Sequence, residues 1–260
     1  MRSLDIGATG MLAQQMNVEV ISNNIANMTT SGFKRQRLEF QDLIYQNKAT
    51  PGSTGSSAGS TIPTGIQLGL GVRPVATHRL HEQGAVQNTG NDLDLAITGE
   101  GYFQIDLPSG ETAYTRSGSF GLNENGEIVT AQGYLLQPGI TIPADSLKVE
   151  INASGEVLAK LPGQVDLQNL GQIQLAKFVN AGGLEAIGNT MFTETTSSGA
   201  PTTGNPDEND FGSLLQGSLE QSNVNVVEEI TTLITAQRAY EMNSNVISTS
   251  DEMMQTASQI

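Results

Sequence analysis

The chain contains no cysteine and only two histidines, and charged residues make up 15% of it. Without thiols it can form no disulfide, no thiolate metal site and no cysteine nucleophile. Positive charge is especially scarce, because 12 Lys and Arg stand against 27 Asp and Glu, a formal net charge of -15. Such a molecule repels polyanions as a whole, so we expect no nucleic-acid partner.

Long apolar runs are also absent. No stretch is apolar over the length that a membrane-spanning helix requires, and MRSLDIGATGMLAQQ at the start lacks the apolar core of a secretory signal. We therefore expect a protein that is not membrane-embedded, and that is either cytoplasmic or exported with an uncleaved N-terminus. With 260 residues, the chain is long enough for one large or two modest domains.

Both ends of the chain have apolar residues at a spacing of seven, which is typical of a coiled-coil seam. Asn225 followed by Glu228 resembles a capping box, and no proline occurs from Glu208 onward. This pattern predicts a C-terminal helix of roughly 50 Å, at about 1.5 Å per residue, and a shorter N-terminal one. The seam residues are Leu4, Met11, Val18 and Ile25 in the first helix, and Val226, Leu233, Tyr240, Ile247 and Met254 in the second.

The centre of the chain follows the two-residue period of β-strands. In NDLDLAI, Leu93, Leu95 and Ile97 alternate with Asp92 and Asp94, which predicts a half-buried strand with both aspartates on its solvent face. Further strand-like segments are separated by turn signals such as NENG and NASG. The predicted fold class is α+β, with long terminal helices that pair as a coiled coil and a central β-rich domain.

Composition divides the chain into three regions. Thr50–Thr61 and Thr195–Asp210 are low-complexity stretches, too poor in apolar residues to contribute much to a core. The predicted regions are a terminal helical domain (1–33 plus 222–260), a connecting region that includes the Ser/Gly-rich stretch (34–74 plus 194–221), and a central β-domain (75–193).

A basic cluster follows the first helix, at Lys34, Arg35 and Arg37. It fits a phosphate site, a contact with the acidic surface of a neighbouring subunit, or a solvated patch, and the negative net charge favours the last two. His78 and His81 lie near Glu82, but a stable metal site needs three or four oriented ligands. We predict no catalytic, cofactor or metal site.

Several segments resemble a known family. SNNIANMTTSGFKRQRLEFQDLIYQ, from Ser22 to Gln46, resembles the N-terminal signature of flagellar rod and hook proteins, in which a helix ends in an Asn-rich turn followed by Gly-Phe-Lys. The sequence from Ser222 to the end resembles the matching C-terminal signature. VRPVATHRLHEQG and DLAITGEGYFQI resemble the middle of the distal-rod members.

The resemblance implies a structural role in the basal body. In this family the terminal helices pair to form the inner tube of a helical assembly, and the β-domain lies outside it. The nine seam residues are then the candidate assembly interface. The implied partners are further copies of the chain, the proximal-rod proteins, the hook protein, the P- and L-ring proteins, the rod cap and the flagellar export apparatus. The implied location is the periplasm-spanning rod, reached without cleavage of a signal peptide.

Two alternatives stay open. Within the family, the chain could be a proximal-rod or hook-type subunit; Tyr45–Arg73 favours the distal rod, because it occupies the place of an insertion associated with the straight rod. From another class, a secreted β-rich glycan hydrolase would need two carboxylates that flank a cleft, and the sequence nominates no such pair.

Overall fold

The computed structural model describes residues 2–49, 64–163 and 166–258, and Thr50–Thr61 lies outside them. The chain forms two compact units, one made of the described parts of 1–25, 36–78 and 225–260, the other of 26–35 and 79–224. The three-region division of the sequence stays a prediction. The elements of the first unit are α1 (Arg2–Ala26), β1 (Gln36–Asp42), β2 (Tyr45–Ala49), β3 (Ile66–Gly69), β4 (Val72–Arg79) and α2 (Val226–Ser258).

The first unit is built on α1 and α2, which pack against each other in antiparallel orientation, as the contact of Gly7 with Ile247 and the hydrogen bond of Asn24 with Glu229 indicate. At 33 residues, α2 is about 50 Å long. The backbone N–H of Val227 donates to Oδ1 of Asn225, at 3.1 Å, so Asn225 caps the helix. The predicted helix pair is confirmed. Two strand pairs complete the unit, β1 with β4 and β2 with β3.

The second unit is a β-structure whose strands are mostly short. Its elements are β5 (Val86–Asn88), β6 (Leu95–Thr98), β7 (Tyr102–Asp106), β8 (Thr112–Thr115), β9 (Phe120–Leu122), β10 (Ile128–Thr130), β11 (Leu135–Leu136), β12 (Lys148–Ile151), β13 (Glu156–Lys160), β14 (Gln168–Gln172), β15 (Leu175–Lys177), a 3-10 helix (Ala181–Gly183), β16 (Glu185–Gly188), β17 (Met191–Thr193), β18 (Thr202–Gly204), β19 (Ser213–Gln216) and β20 (Ser218–Glu220).

The main sheet of this unit has nine strands, in the order β16-β17-β8-β7-β11-β10-β9, with β15 joining β7 to β18. Strand β7 is buried on both faces. Phe103 and Ile105 point into the main apolar core, whereas Tyr102 lies in a smaller cluster with Tyr114 and Phe178. Because both faces of β7 are covered, the central strand-rich region predicted from the sequence forms a real core.

The strand predicted at NDLDLAI exists, but the expectation that both aspartates face solvent is wrong for Asp94. Asp94 is 6% exposed and accepts hydrogen bonds from Thr89 Oγ1, at 2.6 Å, and Asn91 Nδ2, at 3.0 Å. The strand is covered on both faces, since Leu95, Ala96 and Ile97 are all buried. A hydroxyl and an amide supplied by the preceding loop replace water around the carboxylate.

The low-complexity stretch Thr195–Asp210 contributes no side chain to either apolar cluster, as its composition predicts, but it is an ordered part of the β-unit. The segment contains β18, which pairs with β15 and so extends the main sheet. Ser198 is 1% exposed and donates from Oγ to the carbonyl of Thr195, at 2.9 Å. Backbone and hydroxyl hydrogen bonds need no apolar side chain, so a segment that adds little to the core can still extend the sheet.

A buried carboxylate joins distant parts of the second unit. Glu220 lies at the end of β20 and forms two ion pairs. Its Oε1 lies 2.5 Å from Lys34 Nζ, and its Oε2 lies 2.9 Å from Arg116 Nε. The N–H of Gly84 donates to Oε1 as well, at 2.9 Å, and Lys34 also donates to the carbonyl of Glu82, at 2.7 Å. We call Lys34, Arg116 and Glu220 the ion triad; the three residues are 1% to 4% exposed.

The ion triad corrects the interpretation of the basic cluster. Lys34 pairs within its own chain, so a phosphate site, a neighbour contact and a solvated patch are all wrong for this residue. Burial lowers the pKa of Lys34, and the charge of Glu220 opposes that effect. Arg37, by contrast, is solvated and lies 3.3 Å from Glu39. The sequence did not indicate this pairing because its partner lies 186 positions away.

We predict that Glu220→Ala strongly destabilises the second unit. The change leaves two buried cations without their counter-charge, for which the typical loss is about 3 to 5 kcal/mol. Urea unfolding of the monomer should show a lower midpoint by circular dichroism. Glu150→Ala is the matched control, because its ion pair with Lys148 is exposed and should contribute little. Equal midpoints for the two variants would contradict the prediction.

Candidate assembly surface

The seam residues lie along the helix pair of the first unit. Eight of the nine are half-buried, and Tyr240 is 44% exposed. The most buried positions of α2 are Glu229, Ala236 and Ser250, which follow seam positions by three residues. They are small or polar, so the closest contact between the helices lacks the large apolar residues that a typical coiled coil has there.

Small residues allow α1 to approach α2 closely. A Cβ added at Gly7 would lie 2.9 Å from Cγ1 of Ile247, and one at Gly10 would lie 2.8 Å from Nδ2 of Asn243. A real Cβ does not come so close to a neighbouring atom, so the lack of a side chain at Gly7 allows the close approach of Ile247, and Gly10 leaves room for the side chain of Asn243.

A polar contact fixes the alignment of the helices. Asn24 is 1% exposed, and its Nδ2 donates to Glu229 Oε2, at 3.1 Å, and to the carbonyl of Gln36, at 2.8 Å. Its Oδ1 accepts from the N–H of Gln36, at 2.9 Å. Sliding one helix along the other would break the buried bond between Asn24 and Glu229, so this pair specifies register.

A second apolar face of α2 is exposed in the single chain. Its residues are spaced along the whole helix, and the most exposed of them is Val227, at 74%. We call them the apolar stripe: Val227, Ile230, Ile234, Met242, Val246 and Met253. A helix with apolar residues on two faces is typical of a buried helix or of one that binds a partner.

A groove of about 340 Å³ lies between α1 and α2. Val18 and Tyr240 are its apolar lining residues, and the acidic residues Glu19 and Glu241 also line it. All of its lining residues come from the two helices: Gln15, Val18, Glu19, Gln237, Tyr240 and Glu241. The groove can therefore accept a side chain that is apolar along its length and positively charged at its end.

A cavity of about 510 Å³ in the second unit is less suited to a ligand. Burial raises the pKa of Tyr102 to about 12, and its hydroxyl lies 2.7 Å from His81 Nδ1. The cations on the wall are already paired, Arg116 with Glu220 and Lys177 with Glu100, at 2.9 and 2.5 Å. An anionic ligand would have to displace one of these carboxylates.

Within residues 2–49, 64–163 and 166–258, no group of three or more His, Asp or Glu is arranged to hold a metal ion. In the same ranges neither long helix is apolar enough to cross a lipid bilayer.

Three family models match the chain. Residues 4–34 match the model described as flagella basal body rod protein, and residues 96–159 match the flagellar hook protein FlgE/F/G D1 domain. Residues 215–260 match the flagellar basal body rod FlgEFG protein C-terminal model. The first and third matches include α1 and α2, and the second lies within the β-unit.

Full-length relatives give the same picture. The flagellar basal-body rod protein FlgG of Caulobacter vibrioides is 59% identical over 260 residues, which is 100% of this chain and 99% of the relative. The protein of the same name from Agrobacterium fabrum is 49% identical over 97% of both chains. The flagellar hook-basal body complex protein FlhP of Bacillus subtilis is 30% identical over 98% of this chain and 97% of its own.

We predict that Gly7→Leu separates α1 from α2. The larger side chain would overlap Ile247, and overpacking of this kind costs about 1 to 3 kcal/mol, which exceeds the gain in helix propensity of up to about 1 kcal/mol. Circular dichroism at 222 nm should show earlier thermal loss of helix. Ala8→Leu is the control, because Ala8 is exposed on the same helix. Identical melting curves for the two variants would contradict close packing at Gly7.

Proposed function

Because the chain belongs to the family of flagellar basal-body rod proteins, we propose that it is a non-catalytic structural subunit of the distal rod. In this role it assembles into a straight helical tube that transmits torque from the motor to the hook. The full-length similarity to relatives named FlgG supports the rod over the hook. Tyr45–Arg73, the place of the rod-associated insertion, supports the distal rod over the proximal rod.

The observation that carries the proposal is the apolar stripe of α2. Full burial of a large apolar side chain contributes about 1.5 to 3 kcal/mol, so covering six that are already partly buried adds on the order of 6 kcal/mol. In an isolated chain the stripe stays exposed to solvent, so this stabilisation is not gained. Neighbouring subunits in a tube with the helices innermost would cover the stripe.

The helix pair has the properties that a stiff shaft requires. Gly7 and Gly10 bring the helices close together, and the bonded pair of Asn24 and Glu229 prevents them from sliding. A strut about 50 Å long that cannot change register transmits force with little internal deformation. We propose that the seam holds this strut together, and that Val18 and Tyr240, which line the groove, also contact a neighbouring subunit.

We propose the partners and location that the family resemblance implies. The partners are further copies of the chain, the proximal-rod proteins below, the hook protein above, the P- and L-ring proteins around the shaft, the rod cap during growth and the flagellar export apparatus. The location is the basal body, in the periplasm-spanning rod, which the subunit reaches without cleavage of its N-terminus.

We predict that Tyr240→Asp blocks tube formation and leaves the monomer folded. Tyr240 is 44% exposed beside the groove, so a carboxylate there costs little in the monomer but is desolvated in an assembly. Leu233→Asp, at a half-buried seam position, should impair both the helix pair and assembly. The readouts are electron microscopy of assembled protein and circular dichroism of the monomer.

The control is Thr232→Asp, an exposed position on α2 outside the groove, which should still form tubes. Tubes of normal length and number from the Tyr240→Asp protein would mean that the groove takes no part in assembly.

A further inference from the structure

We propose that Arg238 of one subunit enters the groove between α1 and α2 of the next subunit and pairs there with Glu19 and Glu241. The inference rests on the proposed function, because it requires that the chain polymerises. In this contact, one subunit contributes the apolar stripe around Arg238, and the next subunit contributes the groove.

Arg238 is the one basic residue in the sequence of α2. It is exposed, and Ile234 and Met242 lie four residues before and after it on the same face of the helix. The apolar stripe therefore has a single positive charge near its middle. Among the described residues, no hydrogen bond or ion pair involves Arg238.

Most other cations of the chain are already engaged. Lys34 and Arg116 are buried on Glu220. Solvated cations with partners include Arg37 with Glu39, Lys148 with Glu150, Lys177 with Glu100 and Arg73 with Gln41. Arg238 differs from all of these, because it combines a free charge with flanking apolar side chains on a rigid helix.

The groove has the chemistry that accepts such a side chain. The ring of Tyr240 and the side chain of Val18 can cover the alkyl stem of an arginine, and a guanidinium over an aromatic ring gains further attraction. Glu19 and Glu241 are both exposed. Glu19 accepts one long bond, from Gln15 Nε2 at 3.3 Å, which a charged donor would readily replace.

The opposite charges of Arg238 and the groove favour a second copy of the same chain as the molecule that fills the groove. Around α2, the groove residues Gln237, Tyr240 and Glu241 lie about 100°, 160° and 60° from Arg238, at about 100° per residue. The groove therefore borders the apolar stripe, but its other wall is formed by residues of α1, Gln15, Val18 and Glu19, so the stripe and the groove are two neighbouring surfaces. A contact between two different faces is heterologous, so each subunit that binds one neighbour presents a free surface to another. Such a contact repeats into an open helical polymer, whereas a self-complementary contact would stop at a dimer.

The first test is charge reversal. Arg238→Glu should raise the critical concentration for tube assembly about tenfold or more, because it replaces an attraction with repulsion from two carboxylates. Glu19→Lys combined with Glu241→Lys should impair assembly similarly. Combining all three changes should return the critical concentration to within about threefold of the parent protein. Lys160→Glu, an exposed change of equal charge in the second unit, is the control.

The second test uses the absence of cysteine from the chain. Protein carrying Arg238→Cys is mixed with protein carrying Glu19→Cys, assembled and oxidised. A heterologous contact predicts disulfides mainly between the two kinds of subunit. Oxidation of the Arg238→Cys protein alone should give few dimers.

The outcomes separate the inference from the function on which it rests. If the unmodified protein forms no tubes, the proposed function fails. If it forms tubes and Arg238→Glu behaves as Lys160→Glu does, the inference is overturned and the proposed function stands. Reversal of Arg238 that is not rescued by reversing Glu19 and Glu241, or dimers from the Arg238→Cys protein alone, also overturns it.

Discussion

The buried carboxylate of Glu220 is the contact on which the architecture depends. It brings together Lys34, Gly84 and Arg116, which lie far apart in the sequence. Removing Glu220 would leave two buried cations without a counter-charge, whereas removing Lys34 or Arg116 would leave a single ion pair, so the two cations depend on the carboxylate. Because Lys34 follows α1 by a few residues, the triad holds the chain that leaves the helix against the β-unit segments around it.

The two units of the chain gain stability in different ways. The β-unit buries apolar side chains on both faces of its central strand, and within the described residues no buried side-chain nitrogen or oxygen lacks a hydrogen bond. In the helical unit, the hydrogen bond between Asn24 and Glu229 fixes the alignment of the two helices, and the apolar stripe remains exposed. The combination of a well-packed β-unit and a helical unit with an exposed apolar stripe suits a subunit that completes its packing only when it polymerises.

The sequence predicted what depends on local pattern. The seven-residue repeat and the Asn225 cap identified both helices and their pairing, and the alternation at Leu95 and Ile97 identified a central strand. The features that the sequence did not predict depend on partners that are remote in the sequence, or on hydrogen bonds that leave no pattern of apolar residues. Lys34 finds its counter-charge 186 residues away, and the groove exists only because antiparallel packing brings residues of α1 and α2, among them Glu19 and Glu241, to one surface. No window of sequence contains either pair.

Polymerisation of an acidic chain requires contacts that are both adhesive and specific. Each subunit has a formal net charge of -15, but at physiological ionic strength screening limits repulsion to distances of about 8 Å, so close contacts decide the outcome. Apolar burial alone contributes affinity without choosing a register, since the stripe could slide along a neighbouring helix by one turn at little cost. A single guanidinium within the stripe changes this, because an alignment that places it against carboxylates is favoured over one that desolvates it without a partner. Arg238 therefore has the same role in the contact between subunits as the Asn24–Glu229 hydrogen bond has within one subunit: it is a polar interaction that favours one register over others.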